Sequence, residues 1–136
     1  MNDRGSLTLW TLGLSVMVLF LGGISLDLWR AFEARQDLAA MADSAASAGA
    51  ARIDRLAYRE TGALQLDAGE AEDAAGAHLD GLPGSAAITG QEIEAAGPVL
   101  TVTLHREVEF SLLRIFLGAG RIPIQATGSA EAFASP

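Results

Sequence analysis

Residues 7–26 read LTLWTLGLSVMVLFLGGISL, an almost unbroken apolar run without a charged member. At 1.5 Å per residue a helix of about twenty residues matches a hydrocarbon core of roughly 30 Å. Its polar members, Thr8, Thr11, Ser15 and Ser25, carry hydroxyls that bond back to helix carbonyls and so cost little in lipid. Trp10 and Trp29 stand near the two ends, about 28 Å apart along a helix, where indole rings favour the headgroup layer. Arg4 precedes the run, and Asp27 with Arg30 closes it. A chain of 136 residues has no core able to surround a helix that is apolar on every side, so a membrane span is the expectation. A cleaved signal peptide fits less well. The run exceeds the usual apolar core of about 7–15 residues, and it leads into Asp27-Leu28-Trp29-Arg30 without a small-x-small site. The span is therefore expected to be retained as an anchor. Basic residues lie on both sides, Arg4 before it and Arg30 and Arg35 after it, so charge leaves its direction open.

Outside the span about 110 residues remain, enough for one small domain. The formal charge of −8 falls wholly after the span, since residues 1–26 hold one Asp and one Arg. Such an acidic head argues against nucleic acid and against anionic lipid as partners. The chain has no Cys, which excludes disulfides, thiolate metal sites and a thiol nucleophile.

The helical pattern continues past the membrane. Residues 30–52 contain no Pro, a single Gly, and mostly good helix formers. Arg30 and Glu33 are spaced for a surface ion pair. Leu38, Met41, Ala42, Ala45, Ala46, Ala48 and Gly49 form a stripe of small and apolar residues that lets another backbone approach closely. That partner is the protein's own head or a neighbouring subunit, and both can hold on different faces of the helix. Span and extension together predict one helix of about 45 residues, on the order of 68 Å long.

Beyond Arg52 a charged segment breaks the stripe and Thr61-Gly62 reads as a turn. Asp67 with Glu70 resembles an N-cap pair, opening a short helix over 68–79 that Gly81-Leu82-Pro83-Gly84 ends. The period then changes. Residues 87–94 make a weak strand in which Ile88 and Ile93 are out of phase, implying a bulge near Gly90. Ala96-Gly97-Pro98 reads as a hairpin turn. Residues 99–110 form the clearest strand, Leu100, Val102, Leu104, Val108 and Phe110 alternating with polar residues and Arg106 interrupting them. Leu112 to Leu117 is an apolar helical turn closed by Gly118-Ala119-Gly120, and a last strand covers 122–133. The expected fold class is α+β: a long N-terminal transmembrane helix over residues 1–52, extended into a pilin-like head over 53–136. That head holds a small antiparallel sheet and one short helix.

Candidate chemistry is sparse. His78 and His105 have no ligand spacing and read as solvated surface residues. Carboxylates from Glu60 to Glu94 meet no Arg, yet no EF-hand pattern is present, so a solvated acidic face is expected. Glu107 and Glu109 share a strand face and are expected to oppose cations. Neither a nucleophile elbow nor a phosphate-binding glycine loop occurs. No catalytic, metal or cofactor site is expected, and the protein is expected not to be an enzyme.

The string Asp3-Arg4-Gly5-Ser6, the apolar run, Asp27 with Arg30, and then Arg35-Gln36-Asp37-Leu38 through Asp43 to Ala50 resembles the N-terminal module of TadE/TadG-like proteins of the tight-adherence (Flp) pilus machinery. The matching positions are Arg4, Gly5, Ser6, Asp27, Arg35, Leu38 and Asp43. The resemblance implies a bacterial single-pass cell-membrane protein with a cytoplasmic N-terminus and an extracytoplasmic head. It would be an accessory or minor pilus-like subunit whose partners are the lipid bilayer and other subunits of the apparatus, in homo- or hetero-oligomers. Two departures stand out. The remaining length is too short for the von Willebrand A domain of larger TadG-like proteins. TadE-type pseudopilins typically place Glu five residues after the processing glycine, whereas Trp10 holds that position after Gly5. The N-terminus is therefore expected to stay uncut. The competing class is a membrane-anchored extracytoplasmic binding or sensor module, which would need a pocket of convergent polar groups.

Overall fold

The computed structural model describes residues 3–118 and 120–133, and the side chains of Asp3, Arg4, Phe116 and Leu117 lie outside that description, as does Ala119 of the expected Gly-Ala-Gly turn. Helix α1 runs Asp3–Ala50, close to the expected length. Its span-side hydroxyls bond as anticipated. Thr11 Oγ1 donates to the Leu7 carbonyl (2.9 Å), Ser15 Oγ to that of Thr11 (2.8 Å) and Ser25 Oγ to that of Leu21 (2.8 Å). Residues 5–21 are exposed along the whole helix surface, and the helix is long and apolar enough to cross a membrane.

Helix α2, Arg55–Thr61, departs from the reading of residues 52–60 as a mere break, so the head carries more than one short helix. Asp54 caps it, Oδ1 accepting from the Leu56 and Ala57 amides at 2.9 and 3.0 Å, and Gly62 ends it in the left-handed region at φ 71°. It buries no residue, so no apolar periodicity announces it. Helix α3, Ala68–Asp80, starts as expected, with Asp67 Oδ1 accepting from the Glu70 amide at 3.1 Å. A 3-10 turn over Ser85–Ala87 leads into the sheet.

The sheet has three strands in the order β1-β2-β3, with β1 Ile88–Ala96, β2 Val99–Glu109 and β3 Arg121–Glu131. Between β1 and β2 the antiparallel register slips once, from Ile88 opposite Arg106 to Gly90 opposite His105. That bulge restores the phase of Ile88 and Ile93, so both face the core. The two-residue turn between these strands has Gly97 at φ 61°, the positive φ that a tight hairpin of this length demands. Helix α4, Leu113–Leu117, is set into the connection between β2 and β3.

By backbone packing the chain falls into two units, Met1–Glu33 with Val108–Ile122, and Ala34–Glu107 with Pro123–Pro136. The second holds the core. Leu38, Ala42, Ala45 and Ala46 of α1 meet Ala71, Ala75 and Leu79 of α3 over Leu100, Val102 and Leu104 of β2 and Ala126 of β3. Small residues set the distance between these layers. A Cβ on Gly49 would strike Leu100 and the Ala71 carbonyl; one on Gly128 of β3 would strike the α1 backbone at Ala42 and Asp43. Ala95 donates its amide to Glu72 Oε1 of α3 (3.2 Å), which occupies one main-chain donor of edge strand β1.

Candidate functional site

Asp27 follows directly on the apolar run and is the buried charged residue of the described chain, 1 % exposed. A carboxylate in that position requires donors, and α4 has some to offer. The helix opens at Leu112 without a side-chain cap, so its first amides have no partner of their own. Asp27 supplies one from far along the chain. Its Oδ2 accepts from the amides of Ser111 (3.1 Å), Leu112 (2.7 Å) and Leu113 (3.1 Å), and Oδ1 accepts again from Ser111 at 3.2 Å. Successive main-chain N–H groups converging on one anion form a nest that favours the ionised carboxylate. The Leu113 amide acts most strongly, against the opposing effect of burial. With Leu112, Ser111 and the Arg30 charge it holds the carboxyl below the ordinary carboxylate value. Arg30 Nη1 lies 3.9 Å from Oδ1, an i,i+3 pair with Asp27 on the other side from the Glu33 that the spacing suggested.

One turn earlier on α1 lies Gly23. A Cβ there would fall on the Leu112 side chain, so the glycine is the seat into which Leu112 fits. Across the neck of the same excursion Arg121 Nη2 and Nε both reach Glu109 Oε1 at 2.8 Å, and the Phe110 amide donates to the Gly120 carbonyl at 3.2 Å. The expectation of a cation opposite Glu109 is met.

The other positions singled out in the sequence scatter over both units. Trp10 and Trp29 are 76 % and 67 % exposed near the two ends of the apolar run. Gly5 and Ser6 lie exposed in the first turns of α1, and Arg35 and Asp43 on its exposed side further along. Leu38, Ala42, Ala45, Ala46 and Gly49 are buried within their own unit, and Met41 is half-buried beside Gly84. That face of the stripe is therefore taken up by this chain's own sheet and α3. His78 Nε2 lies 2.7 Å from Ser44 Oγ, a bond between α3 and α1.

Of the carboxylates from Glu60 to Glu94, Asp67 is spent on its cap and Glu72 on the Ala95 amide. Among the described residues no group of three or more His, Asp or Glu is placed to hold a metal ion. A shallow cleft is lined by Ala51 to Leu56 with Asp67 and Glu70, and its Asp54 and Asp67 carboxylates already serve as helix caps.

Sequence reasoning placed Asp27 at the end of the span without finding its partner, 84 to 86 residues away. The sequence carried half of the signal, a carboxylate at the border of an apolar run; that the turn after Ser111 forms without a side-chain cap shows only in the fold.

A helix long and apolar enough to cross a membrane, joined to an α+β head, defines the class of a single-pass membrane protein. Residues 5–52, nearly the whole of α1, are similar to the family described as "Putative Flp pilus-assembly TadE/G-like". No curated protein and no solved structure matches the chain.

Proposed function

We propose that the protein is a non-enzymatic accessory or minor pilus-like subunit of a Tad/Flp-type pilus or a related envelope secretion apparatus. Its N-terminus lies in the cytoplasm and its head outside the membrane. The TadE/G-like match over residues 5–52 carries the reading, because it covers the exposed apolar half and the head-packing half of α1 together. The partners are the bilayer and other subunits of the apparatus. In cells of the source organism, deleting the gene should remove or shorten Flp-type surface fibres, and the intact gene should restore them; unchanged fibres would refute the assignment. Protease added to spheroplasts tests the orientation separately. Digestion of the head supports it, and protection that ends only on lysis reverses it.

A further inference from the structure

The excursion between β2 and β3 lies against α1 near the C-terminal end of the apolar run and carries Ile115 exposed on its outside. Leu112 seats on Gly23, which lies three residues, or about 4.5 Å of helix, inside the C-terminal end of the apolar run. The Asp27 carboxylate then ties the Ser111, Leu112 and Leu113 amides to the same level of α1, so the segment cannot swing away from the helix without losing those bonds. Ile115, at the outer end of this segment, is 68 % exposed. Trp29 lies two residues past Asp27, about 3 Å along the axis, and Leu28 and Phe32 beside it are exposed as well. Charge agrees with this placement. The unit made of Met1–Glu33 and Val108–Ile122 holds Arg4, Arg30, Arg114 and Arg121 against Asp3, Asp27, Glu33 and Glu109, a net of zero, which leaves the whole −8 to the other unit.

We propose that the Leu112–Ile115 segment is a second membrane contact, bedded in the lipid interface beside the end of the span. Its occupant is lipid because the segment adjoins the exposed apolar surface of α1 that the span presents to the bilayer on that reading, at a level set by Gly23 and Asp27. An aromatic and aliphatic surface next to headgroups, with Arg114 able to reach the phosphates, is the composition that interfaces favour. The inference rests on the reading of residues 7–26 as a span.

The chain has no Cys, so single cysteines can be labelled cleanly. Ile115→Cys, Leu19→Cys and Ser129→Cys, all at exposed positions, would each be made in the full-length protein and tagged with a polarity-sensitive fluorophore. They would then be reconstituted in phosphatidylcholine vesicles carrying nitroxide lipids at shallow or deep positions. Shallow nitroxides should extinguish the label at 115, deep ones the label at 19, and neither the label at 129. A label at 115 that keeps its emission while that at 19 is quenched overturns the lipid contact and leaves the span standing. Loss of quenching at both overturns the span and the contact together. Emission at 115 that resists lipid quenchers but changes as the protein is diluted in the vesicles assigns the surface to a second copy, and also overturns it.

Discussion

Gly128→Ala is the sharpest probe of how the head is held together. Gly128 lies in β3 outside the left-handed region, so the backbone accepts alanine, and loss of chain entropy in the unfolded state alone would stabilise the variant by about 0.5–1 kcal/mol. Space works the other way. The new methyl would meet the Ala42 carbonyl carbon and the Asp43 amide nitrogen of α1, with Asp43 Oδ1 also at 2.6 Å. Two of these atoms are helix backbone and have no rotamer to escape into, which places the cost near the top of the usual overpacking range, about 3 kcal/mol. The net is about 2 kcal/mol of destabilisation, roughly a thirtyfold shift in the opening equilibrium. Hydrogen–deuterium exchange of the full chain in detergent micelles reads this directly. Peptides covering 38–50 and β3 should lose roughly thirtyfold protection, while Ser129→Ala, exposed on the same strand, stays within about 0.5 kcal/mol of the parent. A Gly128→Ala variant with equal or greater protection would refute the close approach of β3 to α1.

Asp27→Ala should strip protection from the amides of Ser111, Leu112 and Leu113 and leave the β1–β2 ladder unchanged; retained protection would show that those amides have another acceptor. Because the folded carboxyl is held below its ordinary value, its contribution is complete above that value and is lost as pH falls through the lower one. Protection at 111–113 should therefore fade only below about pH 4, and a loss already at about pH 6 would contradict the ionised nest. Leu100→Ala, at a fully buried position facing Gly49, should cost about 2–5 kcal/mol in global protection, and a cost under about 1 would deny it a place in the core. Asp54→Ala should release α2 by about 1 kcal/mol, read as faster exchange confined to residues 55–61.

Whatever depends on neighbours in the chain was legible in the residues themselves. An apolar run sets its own length against the bilayer, so the span needed no partner to be recognised. Strand β2 announced itself by alternation, and the register slip by the phase error between Ile88 and Ile93. The Asp67 cap followed from its distance to Glu70. Helix α2 escaped because its stability comes from Asp54 and Gly62 at its ends and none from a buried face, so period carries no information there. The stripe on α1 was visible as small residues, but its choice between this head and another subunit was not, since composition measures how closely a backbone can approach and not whose backbone arrives. Tertiary structure gives one face of the stripe to this head by laying Gly128 on Ala42 and Asp43, and Leu100 on Gly49. It also decided the role of Asp27. A carboxylate closing a membrane helix states a need for donors, and only folding brings the amides of residues 111–113 within 3 Å or so to meet it.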